Sequence, residues 1–106
     1  MADDPLDALD ALIRSRRARD PASSYTAQLF ADGRAKIAQK VGEEAVETVI
    51  AAMGSDAKAL TGEVADLVYH LLVLLADAGL SLDDVRAELA RRTGTSGLTE
   101  KASRSD

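Results

Sequence analysis

The chain has 106 residues, of which 46% are hydrophobic but only 3% are aromatic, and its formal net charge is −5. This length suits one domain with a modest core. The acidic balance argues against a protein that coats nucleic acid and favours cations as partners. The absence of cysteine excludes disulfides, zinc–thiolate sites and thiol catalysis.

The N-terminal segment does not read as a targeting signal. MADDPLDALD is acidic and lacks the basic stretch and apolar run of a signal peptide. The longest apolar run, residues 67–76, is too short to span a bilayer and is interrupted by Tyr69 and His70. We therefore expect a soluble cytoplasmic protein that binds neither membrane nor nucleic acid.

The first half of the chain predicts two helices and a short helical stretch between them. The first helix covers about residues 5–19, with Pro5 in its first turn. A loop at residues 20–24 and a short helical stretch at about 26–31 follow. A long helix then runs over about residues 34–53 and ends at Gly54, a residue typical of the position after a helix.

The second half predicts two more helices and a tail. One helix covers about residues 56–78 and the next runs from Ser81 to Gly94. We expect an all-α protein, a four-to-five-helix bundle in which residues 1–94 form a single helical domain. The tail, residues 95–106, has little apolar content, and we expect a substrate or a partner subunit to order it.

The helix over residues 56–78 is apolar nearly all round between residues 67 and 75. One neighbouring helix cannot cover such a surface. In so small a chain the missing cover is expected to come from a second copy. The sequence therefore predicts a homodimer, with Tyr69 packed at the interface.

Four carboxylates recur in helical spacing, as Glu44-x-x-Glu47 and Glu63-x-x-Asp66. Residues three apart share one face of a helix, and carboxylates beside a packed core are costly unless a cation compensates them. If the two long helices pack antiparallel through the short link at Gly54, the two pairs face each other. Oxygen ligands without cysteine favour Mg²⁺ or Mn²⁺ over zinc, and magnesium commonly shares its shell with phosphate oxygens. The pattern predicts a cation site for a nucleotide-like polyphosphate.

Ordinary structural roles account for some of these residues equally well. A single E-x-x-E pair is usually a solvated helix face, and Lys40 can pair with Glu44 as an i,i+4 salt bridge. His70 continues the line of Glu63 and Asp66, and we expect it to be a hydrogen-bonded, partly buried side chain rather than a ligand. A di-iron bundle would need Glu-x-x-His pairs, which the only histidine does not supply.

The arrangement Glu43-Glu44-x-x-Glu47 followed by Glu63-x-x-Asp66 resembles the signature of the all-α nucleoside triphosphate pyrophosphohydrolases related to MazG. Within that superfamily the chain is more similar to the phosphoribosyl-ATP pyrophosphohydrolases of histidine biosynthesis. The segments that carry the resemblance are SYTAQLFADG, KIAQKVGEEAVETVIAA, EVADLVYHLLVLLA and TSGLTEKASR. Together they cover most of the chain from residue 24 onward.

The resemblance implies a MazG-like bundle that hydrolyses phosphoribosyl-ATP to phosphoribosyl-AMP and pyrophosphate. The reaction would be a Mg²⁺-dependent attack of water on the α–β phosphoanhydride, with Mn²⁺ as the alternative metal. The resemblance assigns the metal to both acidic pairs, Glu44, Glu47, Glu63 and Asp66. It makes Glu43 and Glu47 the catalytic carboxylates, with Glu43 orienting the water.

The resemblance also implies two sets of contacts to the substrate. Basic residues upstream of the acidic pairs would meet the phosphates: Arg34, Lys36 and Lys40. Residues of the tail would close over the substrate: Ser96, Gly97, Lys101 and Arg104. Two other functions fit the same chain, a house-cleaning nucleotide pyrophosphatase of the same superfamily and a non-catalytic helical dimerisation module.

Overall fold

A computed structural model describes residues 4–93, and within this range the chain forms five α-helices and no β-strand. The helices are α1 (Pro5–Ser15), α2 (Tyr25–Asp32), α3 (Arg34–Ala52), α4 (Ala57–Asp77) and α5 (Leu82–Thr93). A single 3₁₀ turn, Pro21–Ser23, precedes α2. The all-α prediction is confirmed.

Local side-chain and backbone chemistry sets where the central helices begin. Ser24 Oγ accepts a hydrogen bond from the Ala27 N–H at 3.2 Å, and Asp56 Oδ1 accepts one from the Ala59 N–H at 3.2 Å. Each cap satisfies an N–H that the first turn of a helix leaves unpaired. Between α2 and α3 a single residue, Gly33, adopts φ = 98°, a conformation that other residues rarely take. The chain thus turns from α2 into α3 without a linker.

Helix α1 ends at Ser15, whereas the sequence pattern predicted a helix to residue 19. The cause is a contact distant in sequence. The Arg17 guanidinium donates to the Ala76 carbonyl oxygen at 2.5 Å and lies 5.3 Å from the centre of the Phe30 ring. Arg17 therefore fastens the segment after α1 to the end of α4 instead of continuing the helix.

The core lies where the start of α3 meets the end of α4, covered by α1 and α2. Its buried side chains are Ile13, Leu29, Ile37, Leu72, Val73 and Ala76. Arg34 Nε lies 2.6 Å from Asp77 Oδ2 and joins the first residue of α3 to the last residue of α4. The two long helices therefore run antiparallel, which is the condition under which the two acidic pairs were expected to face each other, and their acidic segments lie beyond the core.

Helix α4 is the one described helix that is long and apolar enough to cross a membrane by length and composition. The core helix of a soluble protein can pass the same test, so a single such helix is weak evidence. Helix α4 carries Glu63, Asp66 and His70 and packs against α1, α2 and α3. It therefore does not indicate a membrane protein.

Candidate metal centre

Three carboxylates from the two long helices meet in one cluster. Carboxylate oxygens of Glu44, Glu63 and Asp66 all lie within 4.8 Å of one another. Glu44 comes from α3, and Glu63 and Asp66 come from successive turns of α4. The antiparallel packing brings the two helices' acidic segments together, and the cluster could hold a metal ion.

Glu44 provides the strongest indication that the cluster binds a cation. Its side chain is only 8% exposed, and its Oε2 atom is buried without a hydrogen-bond partner among the residues that the structure describes. A buried carboxylate oxygen without a partner is costly, because it has lost water and gained nothing in return. A cation bound between Glu44, Glu63 and Asp66 would supply that partner, so the donor set fits a hard metal ion.

The electrostatics of Glu63 point the same way. Burial raises the pKa of Glu63 above its usual range, and the nearby charges of Glu47, Asp66 and Glu44 raise it further. Crowded carboxylates resist ionisation together, and either a proton or a cation relieves the repulsion. The cluster is thus arranged to attract positive charge.

Glu47, the fourth predicted ligand, lies at the edge of this cluster and is not part of the group of three. It interacts with Glu63 and lines a cavity of about 380 Å³ together with it. The rest of the cavity lining is apolar and consists of Ile50, Ala51 and Ala59. Glu47 is therefore positioned where a carboxylate faces both the cluster and an open, mostly apolar space.

Glu43 is not one of the three clustered carboxylates and has partners of its own. Gln39 Nε2 donates to Glu43 Oε2 at 2.8 Å, and Lys40 Nζ lies 3.3 Å from Glu43 Oε1. These hydrogen bonds, first from Gln39 and then from Lys40, lower the pKa of Glu43. Lys40 thus pairs with Glu43 and not with Glu44, the partner that i,i+4 spacing had suggested.

The three basic residues predicted to meet phosphate lie at different distances from the cluster. Lys40 precedes Glu44 by one helical turn, about 6 Å along the axis of α3, while Lys36 is about 12 Å away. Arg34 lies about 15 Å away along the same axis and is paired with Asp77. Lys40 is the best placed of the three. The predicted tail residues lie outside the described range: Ser96, Gly97, Lys101 and Arg104.

His70 is buried and hydrogen-bonded, as predicted: its Nδ1 lies 2.8 Å from the Asp66 carbonyl oxygen and its Nε2 lies 3.3 Å from the Tyr25 hydroxyl. Tyr69, which we expected at a subunit interface, stacks on Tyr25 and shares a hydrogen bond with Thr26 inside the chain. Sequence reasoning overlooked Tyr25 because it placed the start of the short helix at Thr26. The signal that could have revealed it is its position directly after Ser24, a preferred N-cap residue.

Comparison with known proteins shows the family to which the chain belongs. Residues 6–93 match the sequence profile of the phosphoribosyl-ATP pyrophosphohydrolase family. A protein of Rhizorhabdus wittichii is 65% identical over 99 residues, which cover 93% of each chain. A protein of Paramagnetospirillum magneticum is 62% identical over 99 residues, covering 93% of this chain and 91% of the relative.

A third relative, from Novosphingobium aromaticivorans, is 60% identical over 98 residues, covering 92% of each chain. All three relatives are named phosphoribosyl-ATP pyrophosphatase. The matched range contains every residue of the carboxylate cluster. It also contains all five helices, apart from the first residue of α1. This chain belongs to the phosphoribosyl-ATP pyrophosphohydrolase family.

Proposed function

We propose that this protein hydrolyses phosphoribosyl-ATP to phosphoribosyl-AMP and pyrophosphate, as a cytoplasmic enzyme of histidine biosynthesis. The observation that carries the proposal is the buried, unpartnered Oε2 of Glu44 within a cluster of three carboxylates. A polyphosphate substrate is accompanied by a divalent cation, which such a cluster fits. The names of the relatives support the choice of substrate.

We propose Mg²⁺ as the ion of this site, with Mn²⁺ as the alternative. Glu44, Glu63 and Asp66 would hold it, and Glu47 would join them as a fourth ligand. Carboxylate oxygens are the ligands that these ions prefer. When bound, the ion would neutralise phosphate oxygens and make a coordinated water more acidic.

The chain's own residues would divide the remaining work. Glu47 faces the open cavity and would accept the proton of the attacking water as the new P–O bond forms and the bridging P–O bond breaks. Glu43, fixed by Gln39 and Lys40, would orient that water. Lys40 would meet the charge of the departing pyrophosphate, assisted by Lys36 and Arg34 farther along α3. The tail residues Ser96, Gly97, Lys101 and Arg104 would close over the substrate.

We propose that the working form is a homodimer built on the apolar face of α4. Val64, Val68, Leu71 and Leu75 recur at helical spacing on this face, and Leu71 is 39% exposed. The last three of these residues line an apolar groove of about 400 Å³, together with Leu6 and Val85 among others. Contiguous exposed apolar surface of this kind is typical of interfaces between proteins.

A pyrophosphate-release assay with phosphoribosyl-ATP, with and without Mg²⁺, tests the proposed activity. Asp66→Asn is expected to lower turnover by more than about 100-fold, beyond the loss that outer-sphere partners of a metal usually cause, while circular dichroism shows a retained fold. Glu88→Gln, an acidic residue of α5, is the matched control and should leave turnover intact.

Three results would contradict the proposal in different ways. Retained activity in Asp66→Asn would show that hydrolysis does not depend on the carboxylate cluster. Comparable rates on ordinary nucleoside triphosphates with none on phosphoribosyl-ATP would instead favour a house-cleaning pyrophosphatase. A melting temperature that does not respond to any divalent cation, in a protein without turnover, would favour a non-catalytic dimerisation module.

A further inference from the structure

Tyr25 is an aromatic side chain that neither the core nor the carboxylate cluster accounts for. It is the first residue of α2, and 52% of its surface is exposed. The chain has only two tyrosines and one phenylalanine, so an exposed aromatic ring is an uncommon feature of this surface. The contacts of Tyr25 show that this ring is held in place.

Three contacts restrain the Tyr25 ring. His70 Nδ1 lies 2.8 Å from the Asp66 carbonyl oxygen, which can only accept, so Nδ1 carries a hydrogen. In the neutral imidazole Nε2 is then an acceptor, and the Tyr25 hydroxyl donates to it at 3.3 Å. The His70 ring meets the Tyr25 ring edge-on, with 6.2 Å between their centroids. The Tyr69 ring stacks on the Tyr25 ring, with 6.3 Å between their centroids. A ring restrained in this way loses little conformational entropy when a ligand packs on it.

One interaction with each long helix places the ring near the carboxylate cluster. Its partner His70 is one turn of α4 beyond Asp66, a member of the cluster. On α3, Lys40 is one turn before Glu44. Tyr25 is close enough to Lys40 to contribute, after the hydrogen bond to Glu43, to raising the pKa of Lys40. An exposed, oriented aromatic surface therefore stands next to the place where phosphates would bind.

We propose that Tyr25 is a substrate-binding residue whose ring packs against the purine nucleoside, while the carboxylate cluster, through its metal ion, and Lys40 bind the phosphates. His70 is the positioning residue that fixes the Tyr25 hydroxyl. The proposal rests on the proposed function, since it assigns a contact to that substrate. Aromatic rings stack on nucleobases because every base presents a flat π-face. Pyrophosphate has no base and gains nothing from this contact.

Binding of the two reaction products separates the nucleoside contact from the phosphate contact. Isothermal titration in Mg²⁺ measures phosphoribosyl-AMP and pyrophosphate one at a time and requires no turnover. Tyr25→Leu removes the ring and is expected to weaken phosphoribosyl-AMP binding about tenfold or more and to leave pyrophosphate binding unchanged. Tyr25→Phe keeps the ring and should retain most of the phosphoribosyl-AMP affinity.

Leu12→Ala is the matched control, because it removes a side chain on α1 that is 47% exposed, close to the 52% of Tyr25, and that belongs neither to the carboxylate cluster nor to the contacts of Tyr25. It should bind both products like the unmodified protein. Equal weakening of both products by Tyr25→Leu would show that the substitution disturbs the whole site and would overturn the inference. So would phosphoribosyl-AMP binding that is unchanged in Tyr25→Leu or absent in the unmodified protein. Failure to hydrolyse phosphoribosyl-ATP, with these binding differences intact, would count against the proposed function alone.

Discussion

Glu63 experiences the repulsion that results from gathering several carboxylates in one place. Its pKa is raised, first by burial and then by the charges of Glu47, Asp66 and Glu44. A carboxyl group whose pKa is raised by folding contributes stability below its unfolded-state pKa, and this contribution is lost as the pH rises through the folded-state pKa. At neutral pH the ionised Glu63 therefore opposes folding of the metal-free protein.

Substituting Glu63→Gln removes this repulsion. We expect the metal-free variant to melt a few degrees above the unmodified protein at neutral pH, and this difference to shrink as the pH falls toward the usual range of a glutamate pKa. The stabilisation that Mg²⁺ gives the unmodified protein should shrink in the variant, because one ligand is lost. Thermal melts in EDTA and in Mg²⁺ measure both effects.

Glu88→Gln is the control, and its expected effect on the melting temperature is opposite to that of Glu63→Gln. Hydrogen bonds from Arg91 and then Arg92 lower the pKa of Glu88 to about 2, so its charge stabilises the fold at neutral pH and loses that effect as the pH falls. Its removal should lower the melting temperature slightly and leave the Mg²⁺ response intact. A metal-free Glu63→Gln protein that melts at or below the unmodified protein would contradict the interpretation of Glu63.

Among single residues, those whose partners lie nearby in sequence could be predicted. Glu63 and Asp66 share a helix face by spacing alone, so their proximity follows from the helix. The bond between Tyr25 and His70 joins residues 45 positions apart, and no local pattern encodes it. The partner of Lys40 was ambiguous, because both Glu43 and Glu44 lie within reach of it on the same helix.

At the scale of elements, the two long helices follow closely from local signals. Asp56 caps α4, and Gly54 follows the end of α3, so the predicted and observed bounds differ by at most one or two residues. The end of α1 did not follow, because Arg17 binds the end of α4 through a contact that spans 59 residues. Packing between elements, rather than propensity, decides such boundaries.

Two glycines test how backbone conformation shapes the elements. A Cβ at either Gly33 or Gly62 would meet no atom within 4 Å, so steric crowding is equal at the two sites. Gly33 has φ = 98°, whereas Gly62 lies inside α4. We expect Gly33→Ala to lower the free energy of unfolding by about 1–3 kcal/mol and Gly62→Ala to raise it by about 0.5–1 kcal/mol.

Urea denaturation of the two metal-free variants measures both changes. Because the space around the new methyl group is open in each case, the backbone conformation alone decides the sign. Equal effects of the two substitutions would show that the positive φ at Gly33 does not govern the junction between α2 and α3.

For the whole molecule, the apolar face of α4 is the surface on which we propose that the dimer forms. Leu71→Lys would place a charge at the centre of that face, and we expect it to convert the proposed dimer to a monomer. Leu12→Lys on α1 is the control, since Leu12 is 47% exposed compared with 39% for Leu71, but does not line the groove. Sedimentation velocity at micromolar concentration distinguishes the two states.

A folded monomer of the unmodified protein under the same conditions would remove the dimer proposal. Dissociation by both lysine variants would show that the interface extends along α1 as far as Leu12, and dissociation by neither would place it elsewhere. The dimer prediction came from hydrophobic pattern alone, which identifies a surface that needs cover but not the partner that covers it.

The core lies at one end of the α3–α4 hairpin, and this placement affects local opening at the other end. Buried apolar side chains secure the start of α3 and the end of α4, whereas the turns that contain Glu47 and Glu63 lie next to an open cavity. Amide protons in this outer half should exchange with solvent by local opening, without unfolding of the rest. An ion that joins α3 to α4 there would hold the two helices together, so that loading the site should also suppress this local opening.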